Sequence, residues 1–152
     1  MALQSSLPTS SRRLLGLDVG DRRIGVALSD PTGLLATPLE VYTRRGIEED
    51  RKHMVDLVRE HEAQGVVVGL PVNMNGTEGP QAVKTREFAE ALASAGMPVL
   101  MWDERLSTVE AERRMSEGRR RKKRGVLQRS DAEAAAVILE TYLDYIRGRA
   151  LS

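Results

Sequence analysis

Four acidic residues stand where an apolar segment ends or begins: Asp18, the neighbours Asp103 and Glu104, and Asp131. Asp18 closes the apolar run that starts at Leu14, and Asp103-Glu104 follow the run from Val99 to Trp102. A lone Asp before Gly20 suits a turn, and an acid pair before a helix is favoured by the helix dipole. Asp131 is more informative. Ala135, Ile138, Leu139 and Tyr142 follow it at i+4, i+7, i+8 and i+11, so it lies on the inward stripe of a helix, in the first turn. Three carboxylates gathered in a partly dry site repel one another, shift their pKa values and call for a cation. With 0 Cys and 2 His in the chain, an all-oxygen donor set suits Mg²⁺ or Mn²⁺ rather than Zn²⁺. Two such ions about 3.5–4 Å apart can clamp both sides of an in-line phosphodiester displacement. Spacing alone does not show that the acids meet; the fold must bring them together.

Basic residues surround these acids. Arg23 follows Asp18 closely and suits either a solvated hairpin or a phosphate contact. Arg105 follows the acid pair and suits either an ion pair with Asp103 or a substrate contact. Arg119, Arg120, Arg121, Lys122, Lys123 and Arg124 are six consecutive cations. Such a run cannot fold against itself, so a loop over residues 118–129 is expected to be mobile without a ligand. Between Arg113 and Arg129 there are 9 basic residues and 1 acidic one, a local +8 that leaves −7 on the rest of a chain whose net charge is +1. The basic block leads directly to Asp131, and its phosphate contacts would give affinity and position without base reading. Aromatic residues at 3% argue against a single-strand reader built on stacked rings. His53 and His61 are read as surface residues. The loop from Asn73 to Gly79, with Met74 exposed at its tip, suits an ordinary strand-to-helix connection by its residues alone, or a phosphate contact through its backbone N–H groups near a helix start.

The elements that must position these residues follow from period and punctuation. Residues 1–12 read as a disordered tail and residues 13–148 as one domain of a 152-residue chain. Leu14–Val19, Arg23–Ser29 and Leu34–Thr43 read as three strands in a meander, with Pro38 demoting the third to an edge or a bulge. Ile47, Met54, Val55 and Val58 share a helical face, and Gly65 is expected to stop that helix. Val66–Val68 is a buried strand. Pro80 opens a second helix with Thr85, Phe88, Ala89 and Leu92 inward and Gly96 as its cap. Val99–Trp102 is a fifth strand. Capping boxes at Ser107–Glu110 and Ser130–Glu133 open a short helix and a last helix running to about Arg147. The order β-β-β-α-β-α-β-α-α implies an α/β fold with a mixed five-stranded sheet and helices packed on it. The longest apolar runs span four or five residues where a membrane helix needs roughly 20. The polar start of the chain lacks the apolar core of a secretory signal, so the expected compartment is the cytoplasm.

The segment Asp18-Val19-Gly20-Asp21-Arg22-Arg23-Ile24-Gly25-Val26-Ala27 resembles the opening motif of the YqgF/RuvX family. The resemblance continues through Gly69-Leu70-Pro71, Met74-Asn75-Gly76, Glu78-Gly79-Pro80 and Asp103-Glu104-Arg105-Leu106-Ser107-Thr108, and ends with Asp131, Ala134-Ala135 and Ile138-Leu139. These bacterial proteins have a ribonuclease H-like fold and are regarded as Holliday-junction resolvases and as pre-16S rRNA nucleases. The resemblance implies a metal-dependent endonuclease acting on structured nucleic acid, branched DNA or RNA. It implies a two-metal site of Mg²⁺ or Mn²⁺ on Asp18, Glu104 and Asp131. Strand alternation lets only one of Asp103 and Glu104 face the site; Glu104 is favoured and Asp103 is the alternative. A resolvase that cuts two opposed strands is expected to be a homodimer. The family has an apolar residue before its last Asp where this chain has Ser130. Two other classes compete. An actin-like nucleotide or sugar-phosphate kinase domain shares the first motif but needs two lobes and about twice this length. A catalytically silent nucleic-acid-binding module has no need of all three acids.

Overall fold

The computed structural model describes residues 13–106 and 130–151. Five strands form one sheet: β1 (Leu14–Val19), β2 (Arg23–Ser29), β3 (Ala36–Thr43), β4 (Gly65–Leu70) and β5 (Val99–Asp103), in the order β3-β2-β1-β4-β5. β1 pairs antiparallel with β2 and parallel with β4, β3 is antiparallel to β2, and β5 is parallel to β4. The helices are α1 (Ile47–Glu60), α2 (Pro80–Ser94) and α3 (Asp131–Leu151). The architecture is the expected mixed five-stranded α/β sheet.

Alternation along the strands divides the core in two. Leu15, Leu17, Val19, Ile24, Val26, Val66 and Val68 face α1 and α2, meeting Met54, Leu57, Val58, Phe88 and Leu92. Leu14, Ala27, Val67 and Trp102 face α3, meeting Ala135, Ile138, Leu139, Tyr142 and Leu143. The Trp102 indole N–H donates to Thr141 Oγ1 (3.1 Å), and that hydroxyl donates to the Ile138 carbonyl (3.0 Å), so the buried polar atoms on this face are satisfied.

Local chemistry moves several boundaries. β3 begins at Ala36, two residues later than expected, because the Asp30 carboxylate accepts the N–H groups of Leu34 (2.9 Å) and Leu35 (3.3 Å) and holds both in the turn. Pro38 lies on an edge strand, at a bulge where the partner of Ala27 skips a residue. α1 ends at Glu60 rather than at Gly65, which is the first residue of β4. Glu62 takes the left-handed conformation (φ 56°), and the Ala63 N–H reaches back to the Val58 carbonyl (2.9 Å), closing the helix as a glycine would. His53 is half-buried rather than a plain surface residue: it contacts Glu40 at 2.6 Å and stacks on Tyr42. Helical backbone starts at residue 104, ahead of Ser107. The capping box at Ser107–Glu110, the basic loop at 118–129 and the tail at 1–12 lie outside the described residues.

The β1–β2 connection is pinned from the α1/α2 side. Arg44 Nη1 donates to the Gly20 carbonyl (3.0 Å), its Nε donates to Asp50 (2.9 Å), and its guanidinium lies over the Phe88 ring. Burial of Asp50 favours its neutral form, but hydrogen bonds from the Arg45 N–H, Arg44 and Tyr42 hold its carboxyl below the usual range. Gln81 Nε2 donates to the Val19 carbonyl (3.0 Å). No helix among the described residues is long and apolar enough to cross a membrane.

Candidate active site

Asp18 lies on the α3 face of β1, in phase with Leu14 and Gly16. Its register partner on β2 is Gly25, and the step after Leu17↔Val68 sets it level with Gly69 on β4. Both neighbours lack a Cβ, and both spaces are filled from outside the sheet. A Cβ on Gly25 would lie 1.9 Å from the Asp131 carbonyl oxygen. One on Gly69 would lie 2.9 Å from Glu104 Oε2 and 2.5 Å from Ile138 Cδ1. The two glycines therefore let the first turn of α3 and the Glu104 side chain close in on either side of Asp18.

Glu104 directly follows β5, and its side chain lies against Gly69 beside Ile138, on the face covered by α3. Burial, the Asp18 charge, a hydrogen bond shared with Asp18 and the Asp103 charge together push its carboxyl up to about 7. Asp103 turns to Arg105 instead, accepting from its backbone N–H (2.9 Å), from Nε (3.1 and 3.2 Å) and from Nη2 (2.8 Å). The Arg105 guanidinium and backbone keep this carboxyl below its ordinary range despite partial burial. Of the neighbouring acids, Glu104 meets Asp18 and Asp103 is neutralised by an ion pair.

Asp131 opens α3 as its stripe requires, with Ala135, Ile138, Leu139 and Tyr142 buried beneath. The second capping box forms: the Ser130 N–H donates to Glu133 (3.0 Å) and the Glu133 N–H donates to Ser130 Oγ (3.1 Å). The Asp131 carboxylate pairs with Arg23, whose Nε lies 2.8 Å from Oδ2. The structure thus joins Asp18 to Glu104 and seats the Asp131 backbone beside them, with its carboxylate turned to Arg23. Among the described residues, no three Asp, Glu or His side chains converge closely enough to hold one ion.

Arg105 is oriented by Asp103 and reaches the Asn73 and Met74 carbonyls through Nη1 (3.5 and 3.3 Å). The loop at 73–79 holds itself: the Asn73 N–H donates to the Thr77 carbonyl, Gly76 N–H to the Asn73 carbonyl, and Thr77 N–H to Asn75 Oδ1. These three amides, read from sequence as phosphate donors, bind within the loop. Met74 at the tip is 86% exposed. The cations Arg119, Arg120, Arg121, Lys122, Lys123 and Arg124 lie outside the described residues. Sequence spacing does not reveal that Arg44 and Gln81 donate to the Gly20 and Val19 carbonyls, because a backbone carbonyl carries no sequence signal. Gly25 and Gly69 lie within the motifs that carry the resemblance, but their places beside Asp18 follow from the strand register.

Residues 12–145 match the family model described as "RuvX: Holliday junction resolvase". A protein of Halothermothrix orenii named "Putative pre-16S rRNA nuclease" is 48% identical over 136 residues, 88% of this chain and 95% of its own length. A protein of the same name from Symbiobacterium thermophilum is 51% identical over 135 residues, 87% of this chain and 92% of its own. Among solved structures, T. thermophilus RuvC in complex with a Holliday junction substrate superposes with a TM-score of 0.65 at 17% identity, covering 91% of this chain and 96% of that one. The yeast mitochondrial Holliday junction resolvase Ydc2 gives 0.53 at 10%, covering 98% and 87%. The structural likenesses fix the fold as that of these resolvases, and the match from residue 12 to 145, with relatives near half-identical, means that the chain belongs to the RuvX family of nucleases.

Proposed function

We propose that this nuclease is a divalent-metal-dependent endonuclease hydrolysing phosphodiesters in structured nucleic acid, with Asp18, Glu104 and Asp131 as its ligand carboxylates. One observation carries the reading: Asp18 and Glu104 share a hydrogen bond on the sheet face where the Asp131 backbone lodges against Gly25, the register partner of Asp18. The donor set fits a hard cation. All three groups are carboxylates, and burial beside the Asp18 charge pushes the Glu104 carboxyl up, a repulsion that a cation relieves. A pair of Mg²⁺ or Mn²⁺ ions supplies, when bound, stabilisation of the attacking and leaving oxygens of an in-line displacement. The chain's own residues do the rest. The pinned Val19 and Gly20 carbonyls hold Asp18 at the strand end. Asp103 holds Arg105 against the loop at 73–74. The run from Arg119 to Arg124, with Arg23 and Arg105, supplies the positive charge that a phosphate backbone requires.

The relatives' name favours pre-16S rRNA as the substrate, and the family description favours the Holliday junction. We take a structured duplex end or branch as the common element, with a homodimer in the junction case and the cytoplasm as the compartment. Cleavage of a four-way DNA junction and of a pre-rRNA leader, in parallel at one salt concentration with Mn²⁺, identifies the substrate. Asp18→Asn and Asp131→Asn are expected to lose on the order of 10³-fold or more in rate while keeping fold and binding. Full activity in Asp18→Asn with excess Mn²⁺ would remove the metal reading. ATP turnover without cleavage would favour the kinase class instead.

A further inference from the structure

The pair between Arg23 and Asp131 joins two side chains of unequal freedom. Asp131 is fixed through its backbone, because its carbonyl fills the Cβ space of Gly25 and the capping box sets the first turn of α3. Arg23 is the first residue of β2, its side chain is 57% exposed, and its guanidinium stands on a flexible stem. An exposed ion pair of this kind contributes little to stability, so the guanidinium can leave while the Asp131 backbone stays seated against Gly25.

The carboxylate so occupied is the third of the proposed ligand set. A guanidinium at 2.8 Å and a divalent ion on the same carboxylate repel each other. We propose that Arg23 is the resident counter-ion of Asp131, displaced when a divalent cation binds, and that the released guanidinium then takes a non-bridging oxygen of the nucleic-acid backbone. The proposal rests on the metal reading given above. Its chemistry suits arginine, whose planar fork matches carboxylate and phosphate alike. It also makes cation and nucleic acid help each other: a backbone that draws Arg23 away frees Asp131, and by reciprocity the cation strengthens the backbone contact.

The test uses the full chain, Arg23→Gln and Arg23→Lys. Mn²⁺ titration by calorimetry should show Arg23→Gln binding the ion about two- to fivefold more tightly than wild type, since an exposed competing pair is lost. Arg23→Lys, which keeps the charge without the fork, should bind the ion less tightly than Arg23→Gln. Binding of a junction whose linkages carry a methylene in place of the bridging leaving oxygen, which blocks cleavage and keeps both non-bridging oxygens, is then measured against salt. With Mn²⁺ the slope of log K against log salt should be about one unit shallower in Arg23→Gln, and in EDTA the two slopes should coincide. Wild-type Mn²⁺ binding with no tightening in Arg23→Gln would sink this proposal and leave the metal reading standing. So would a slope deficit of the same size in EDTA. Absence of Mn²⁺ binding in every form would sink both.

Discussion

Glu104 holds its proton close to neutral pH, and that has a measurable cost. Its carboxyl is pushed up to about 7 by burial and by Asp18, whereas in an unfolded chain it titrates near 4.3. Between these values the native state binds more protons than the unfolded state, so stability falls as pH rises through that window. Glu104→Gln, which stays neutral, should lose less stability from pH 4.5 to 8 than wild type, by on the order of 2 kcal/mol. Denaturation midpoints of both proteins across that range check the sign. The same variant should lose cleavage by about 10³-fold. Asp103→Asn, which loosens Arg105 but leaves Glu104 beside Asp18, should keep most of its maximal rate and show its defect in substrate affinity. The opposite ranking would make Asp103 the ligand. Alternation along β5 favours Glu104 of these neighbours, and in the structure Glu104 turns to Asp18 while Asp103 turns to Arg105. The partner of Arg23 was not legible: Asp131 lies 108 residues away, and no local rule joins them.

The contact between α3 and the sheet depends on two missing methyl groups, and the two should respond differently. In Gly25→Ala the new Cβ meets backbone, 1.9 Å from the Asp131 carbonyl oxygen, so the helix must lift. A loss of roughly 2 kcal/mol or more and loss of cleavage are expected. In Gly69→Ala the Cβ meets Ile138 Cδ1 and the Glu104 carboxylate, both ends of flexible side chains. Stability should fall less, while Glu104 is pushed off its position and the rate drops. Thermal unfolding and initial rates of both variants separate packing from placement. The face of α3 was readable from its stripe and its start from Ser130–Glu133, since both signals are local. The start of β3 and the end of α1 were not, because they turn on the Asp30 side chain and on Glu62 adopting a conformation usually left to glycine.

Across the whole molecule, charge is divided between a basic block and an acidic remainder, +8 against −7. Neutralising Arg119, Arg120, Arg121, Lys122, Lys123 and Arg124 should leave the unfolding transition nearly unchanged and weaken nucleic-acid binding. If about three of these cations engage at once, the slope of log K against log salt should flatten by about three units, similarly for different sequences. A salt titration of junction binding by both proteins measures it. The order of assembly has a further consequence. The acids come from chain positions 18, 104 and 131, and the element bearing the last of them also covers Leu14, Ala27, Val67 and Trp102. During synthesis the sheet, α1 and α2 emerge first, and the face that carries Asp18 waits uncovered until α3 arrives. On the proposed ligand set of Asp18, Glu104 and Asp131, a growing chain has no complete site until the docking step that also finishes its core, so burial and competence arrive in the same event.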